Sequence, residues 1–555
     1  DVTVSAVAVT VVNVEVDFES NVAEAYIGGT ALVNGKNVSI SAEATSTGTA
    51  KAHQPNTSVS AVSGSSIKAD AKVTKSLVKA YIAQGAKVKS TLDTAVNALS
   101  AIDLSAKSIH EGVDISLANV GNYLVNAYVK ESSTLAEIRG SIEAGKDVLI
   151  GAKDQITLTS QTNANNAGAA NVAASGAKAR IDSQTAKVII GNSAVIEAIG
   201  DIIISALSES TAKAEVGSNS VALGEFGKVT AEASIDRIAV VVIEDLASVV
   251  SRYGNINITA HADKGNITSN ATMAGGGVVA AGDGPSATAN MSTVVNINIG
   301  NGVTVTALFG NLNITARSDS DINAYAYRHM GALAGSNKSR ATISILLEKV
   351  IITIGGSGAQ TTLNSRNTTI EAFTNQSLAA QARSYTASAG SHTTAEATIN
   401  LPASEVNNRA EIIINNAFVG GIDTLNIYAS ANNVSVAART YAEIVGFTGK
   451  VYATSKVGGS FLANVLAGAN SHIAGQIINI RADASRISDS IVVREATAVA
   501  NTVVEWVMKT FRVVVEVVEK AFSWIPFIGK LVKYIIKQVV KYVDRLVEVV
   551  LQSDA

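Results

Sequence analysis

Catalysis and metal binding need several titratable side chains at short range, and few residues here offer them. Six histidines, His53, His110, His261, His329, His392 and His472, stand apart with no pair at metal-ligand spacing, so surface or turn positions are expected. Cysteine is absent, which removes disulfides, thiolate zinc sites and cysteine nucleophiles together. Asp319-Ser320-Asp321-Ile322-Asn323 begins like a calcium loop. Ala324 and Met330 then stand where that loop needs glycine and glutamate, so it reads as a solvated turn. The glycine-rich stretch 274–284 lacks the Lys-Ser/Thr of a phosphate loop and reads as a flexible excursion. A polysaccharide-cleaving site needs an acid and a base together, yet no Asp or Glu is seen to recur at the repeat spacing described below. No catalytic, cofactor-binding or metal-binding residue is assigned, and no cofactor is expected.

The elements that would have to position such groups are set by an unusual composition. The chain has 555 residues, of which four are proline, 5% aromatic and 16% charged. Small and β-branched residues dominate, which favours pleated, half-buried strands. At 47% hydrophobic and net charge −3 the chain can bury apolar area, and it has no basic field for nucleic acid. No run of 18 uncharged apolar residues suggests a spanning helix. An opening at Asp1-Val2-Thr3-Val4 reads as a processed piece of something longer.

A repeat decides the architecture. Its signature is a turn residue, an alternating apolar tripeptide and alanine, as in Gly35-Lys36-Asn37-Val38-Ser39-Ile40-Ser41-Ala42. Taken at Ala42, Ala106, Ala152, Ala206, Ala260, Ala316, Ala372, Ala429 and Ala482, nine copies follow at steps of 64, 46, 54, 54, 56, 56, 57 and 53. A second motif precedes several of them, as in Ala25-Tyr26-Ile27-Gly28-Gly29 and Ile352-Thr353-Ile354-Gly355-Gly356. Period-two runs bounded by Gly, Asn or Asp read as short strands. The expected fold is therefore all-β: an elongated parallel β-solenoid of about nine 55-residue repeats over residues 1–495. Two or three coils per repeat would make a rod of ~90 to ~130 Å.

The pairing of Ala-Tyr-Ile-Gly-x-x-Ala-x-Val with Gly-x-Asn-Val-x-Ile-x-Ala at residues 25–42 resembles the repeats of giant bacterial filamentous adhesins and leukotoxin-type surface proteins. The resemblance implies an exported, extracellular stalk, filament or adhesin displayed on the cell surface by type V secretion, without enzymatic activity. The processed start at Asp1 and open strand edges add the expectation of end-to-end or side-by-side self-association, and a surface glycan or protein receptor is the expected partner. The family's secretion motif and membrane barrel are not seen. A carbohydrate-active β-helix enzyme is the alternative.

After about residue 495 the chain changes character. Charges recur every three or four residues from Glu505 to Glu519 and from Lys530 to Glu548, with Pro526 and Gly529 at the join. This predicts an amphipathic helical hairpin of about 501–522 and 530–551, in a segment 496–555. Trp506, Phe511, Phe522, Trp524, Phe527, Lys533, Lys537 and Lys541 are its expected capping or association residues. A cap on the open end of the solenoid, self-association, or membrane-surface contact of a cytolytic kind would each use them.

Overall fold

The structure, a computed structural model, describes residues 2–498 apart from 55–56, 111–113, 281–283, 432–433 and 485. The expected hairpin, with Trp506, Phe511, Phe522, Trp524, Phe527, Lys533, Lys537 and Lys541, lies outside the described residues.

The second coil shows the plan. A long strand, Thr57–Val73, leads into two short ones, Ser76–Ile82 and Lys87–Ser90, and a second long strand, Thr94–His110, runs back out. Strict alternation drives this. In Thr94–His110 every second side chain, from Thr94 through Val96, Ala98, Ile102, Leu104 and Ala106 to His110, points inward and is buried. In later coils the turns smooth out and one strand carries several segments, as in Val148–Ile190. All pairings between described strands are parallel, and they form one 25-stranded solenoid-like sheet.

Register corrects the expected geometry. Val38 pairs with Thr94, Thr94 with Val148, Val148 with Ile202, Ile202 with Ile256 and Ile256 with Leu312. Each repeat is thus one coil, not two or three. Nine coils reach roughly 40 Å along the axis, and the expected rod of ~90 to ~130 Å is replaced by a blade whose 17-residue strands span roughly 55 Å. Register also moves the second signature copy. Ala42 and Ala152 both pair with Ala98, so Ala106 sits eight residues further along the same strand and the uneven steps of 64 and 46 become 56 and 54.

Two apolar cores run the length of the blade. One lies inside the short strands and the start of the outgoing strand, where Ile40, Val96, Ile150, Ile204, Ile258, Ile314, Ile370 and Ile427 stack in one column. Each such side chain removed from water contributes about 1.5 to 3 kcal/mol. The other lies between the two long arms, where alanines such as Ala69, Ala71, Ala106 and Ala127 let the facing strands approach closely.

A buried polar column separates the cores. Ser76, Ser132, Gln184, Arg237, Thr293, Glu348 and Asn408 stack in register at the corner that opens each short strand. Opposite them stand Ser100, Asp154, Ser208, Ala262, Ser318 and Thr374. The two sides bond across: Ser132 Oγ and Thr134 Oγ1 donate to Asp154 Oδ2 at 2.7 and 3.1 Å.

The turn before each outgoing strand is held by a ladder of carboxylates and amides. The backbone N–H of Asp93 donates to Asn37 Oδ1, that of Asp147 to Asp93, of Asp201 to Asp147, of Asn255 to Asp201 and of Asn311 to Asn255. Asp93, Asp147 and Asp201 therefore recur at the repeat step, contrary to the expectation that no acidic residue does. Asp, Asn and Gly mark the signature turn because a side-chain oxygen there completes the next coil's backbone bonding.

Candidate functional site

Among the described residues, one outward cluster of His and Asp side chains with closely placed ligand atoms sits on the outgoing strands of coils five and six. Its frame is a β-bulge: pairing with the next coil shifts between Ala262 and Gly265, and Lys264 takes the left-handed conformation at φ 50°. Bulges re-aim side chains. Here the result is that His261, Asp263 and Asp319 bring their ligand atoms within 4.8 Å of one another. His261 Nε2 lies 2.7 Å from Asp319 Oδ2 and 3.9 Å from Asp263 Oδ1.

Arg237 supports the bulge from the polar column. Its Nη1 and Nη2 donate to the carbonyl oxygens of Asp263 and Asp319, each at 2.7 Å, and Nε donates to Thr293 Oγ1 at 3.2 Å. Full burial pulls the guanidinium down to about 10, against the pull of Glu348, Asp263 and Asp319. Asp319 is pinned from every side. Arg317 donates to both of its oxygens at 2.5 and 2.9 Å, and Asn375 Nδ2 to Oδ1 at 2.6 Å. Burial raises this carboxyl, but the bonds from His261, Arg317 and Asn375 outweigh it and hold the group well below the usual carboxylate range. Both oxygens are already engaged and two arginines bring positive charge, so the cluster fits a cation poorly. It is built as an ionic lock on a bulged strand.

A second arrangement bears on enzymatic activity. Glu143 pairs in register with Glu197, one coil apart, in a groove of about 800 Å³ that also holds Lys89 and Arg252. Two carboxylates at one coil spacing, roughly 4.8 Å, approach the separation of a retaining glycosidase. The electrostatics bar Glu143 from one of the two roles. Lys89 Nζ lies 2.6 Å from Glu143 and lowers its carboxyl pKa, whereas a general acid needs it raised.

The other motifs resolve into strand geometry. Residues 319–323 lie within the strand Thr304–Ile354, with Asp319 outward and Ser320 buried, so the expected solvated turn is replaced. Residues 274–280 likewise belong to the strand Ile256–Ala280, where a Cβ on Gly275 would meet Glu225 Oε2 at 2.3 Å and one on Gly277 the Ala222 carbonyl at 2.1 Å. Over 274–280 glycine allows close approach in place of the expected flexible excursion, and 281–283 lie outside the described residues. His110, expected at a surface, is buried and stacks on Tyr123 with ring centroids 5.6 Å apart. His261 and Asp319 were missed because they are 58 positions apart; one coil of 56 plus two is the spacing that reveals them.

The described residues thus define a class, an all-β fold of single-coil repeats joined by parallel strands. Compared with known proteins, the chain matches no family model, no curated protein and no solved structure. Among the described residues no helix is long and apolar enough to cross a membrane.

Proposed function

We propose that this chain is a non-enzymatic structural and adhesive module of a bacterial surface protein, acting outside the cell by presenting broad, repetitive faces to a surface or to another copy. One observation carries the reading: each repeat of about 55 residues forms a single coil in register with the next. Such a coil advances the axis by only about 4.8 Å while laying down strands of roughly 55 Å. A spacer would use short coils; this one spends its residues on breadth, and many weak contacts across a broad face sum through multivalency.

The ionic lock and the pinned Glu143 fit this role, since both hold charge in fixed structural pairs. The test is attachment of beads coated with the purified chain to bacterial and host-cell surfaces, with particle dimensions measured by small-angle scattering. Attachment by a particle about 40 Å thick along one axis supports the reading. Absence of attachment and of self-association at all concentrations overturns it, and turnover of a polysaccharide that is lost in Glu197→Gln replaces it with the enzyme alternative.

A further inference from the structure

On the outer face of the outgoing strands a groove of about 660 Å³ runs from coil two to coil six. Its floor follows one outward column, Asn163, Gly217 and Thr272, and the next residue of that column, Tyr327, closes it. Gly217 leaves the floor low, and the step from there to a tyrosine makes the end wall. Tyr327 is held in place, its hydroxyl 3.3 Å from His329 Nδ1, and His329 stacks on Tyr385 with ring centroids 4.6 Å apart. A parallel column supplies amides: Asn219 Nδ2 donates to Asn165 Oδ1 at 3.1 Å, and Asn165 Nδ2 to the His110 carbonyl at 3.0 Å. Asn163 and Asn219 are exposed.

We infer that this groove binds a short neutral oligosaccharide, an inference that rests on the adhesive reading and gives it a receptor class. Among the described residues the lining contains no Lys, Arg, Asp or Glu, which disfavours phosphates, nucleic acid and charged peptides. An extended peptide also finds no backbone partner, because the groove lies on a sheet face whose N–H and C=O groups are used in the ladder. A sugar matches what is there. Its hydroxyls pair with exposed amides and threonine, its apolar C–H face packs on the Tyr327 ring, and the groove length, roughly 19 Å over four coil steps, accepts several rings.

The test is binding of the full chain to arrays of neutral and acidic oligosaccharides, followed by titration calorimetry on the best neutral ligand. Neutral ligands should bind, Tyr327→Ala should weaken binding at least tenfold, Tyr327→Phe should retain most of it, and Gly217→Leu should block it. Tyr26→Ala, on coil one, should change nothing. Circular dichroism of each variant separates lost binding from lost fold. Absence of neutral-glycan binding, preference for acidic glycans or a peptide ligand, or binding indifferent to folded Gly217→Leu overturns the groove. Cell attachment that persists without glycan binding leaves the adhesive role standing and sinks only this site; absence of both attachment and self-association in the unaltered chain sinks the role itself.

Discussion

Gly265 and the Arg237 guanidinium touch so closely that no side chain fits between them: a Cβ on Gly265 would lie 2.5 Å from Nη2 and 2.7 Å from Cζ. The bulge frees the Asp263 and Asp319 carbonyls from normal ladder geometry, and Arg237 takes up both. An alanine at 265 would push a fully buried cation off its partners. Gly265→Ala should therefore cost about 2 to 4 kcal/mol in chemical denaturation. Gly64→Ala makes the same chemical change where nothing lies within 4 Å, and should be neutral within about 0.5 kcal/mol. Equal effects at the two sites would show that the Arg237 contact is not a support.

Buried carboxyls, Asp154 and Glu348 at the polar column and Glu225 twelve residues along the strand from Arg237, give stability a pH dependence. Burial pushes Asp154, Glu225 and Glu348 each up to about 7, outweighing hydrogen bonds at Asp154 and the pull of Arg328 and Arg237 on the two glutamates. The folded chain then holds protons that the unfolded chain releases above about pH 4. Stability is fully present below that pH and is lost as pH rises through about 7, on the order of 4 kcal/mol for a fully buried group. The thermal midpoint should fall between pH 4 and 7, and Asp154→Asn or Glu348→Gln should flatten the decline. A midpoint that rises over this window in the unaltered chain would refute the assignment.

The turn ladder makes a prediction about substitution by type. Asp201 Oδ1 accepts the Asn255 backbone N–H at 2.6 Å, while the Asp201 N–H donates to Asp147 Oδ1 at 2.8 Å. Asn255 does the same for Asn311 with an amide oxygen, at 2.9 Å. Asp201→Asn keeps the acceptor and removes a like charge stacked on Asp147, so it should be neutral or slightly stabilising. Asp201→Ala removes the acceptor and should cost about 1 kcal/mol. Denaturation midpoints of the two variants check this directly, and equal losses would mean that charge, not the acceptor, matters.

The sequence made the strands and their stacking legible because Val-x-Ile-x-Ala returns at a near-constant step, and the Ile40 to Ile427 column is that pattern in space. It left the coil count open, since four strands of unequal length fit one wide coil or several narrow ones. The clue was that the Ala-Tyr-Ile-Gly type and the Val-x-Ile-x-Ala type each occur once per repeat. The bulge was illegible: Asp263-Lys264-Gly265 looks like any polar turn until Arg237, 26 residues before Asp263 in the same coil, is placed behind it. The groove escaped for the same reason, because Gly217, Thr272 and Tyr327 become neighbours only once register is known.

The described end of the blade is apolar and open. Ile427 is 1% exposed under the ninth coil, but Ile480, its in-register successor, is 51% exposed; Leu425 and Ile478 show the same change, 0% and 43%. An inward-facing row left in water invites another apolar surface. Residues 499–555, with both tryptophans, follow in the chain, and covering this row is the capping role expected of them from sequence. Deletion of 499–555 should therefore raise self-association, read as a concentration-dependent sedimentation coefficient. Adding Ile478→Lys and Ile480→Lys to the deletion should restore the monomer, because charge on the row makes a second apolar surface a poor partner. A deletion product that stays monomeric at high concentration would assign the C-terminal residues another role, and association that survives the two lysines would place the contact elsewhere on the blade.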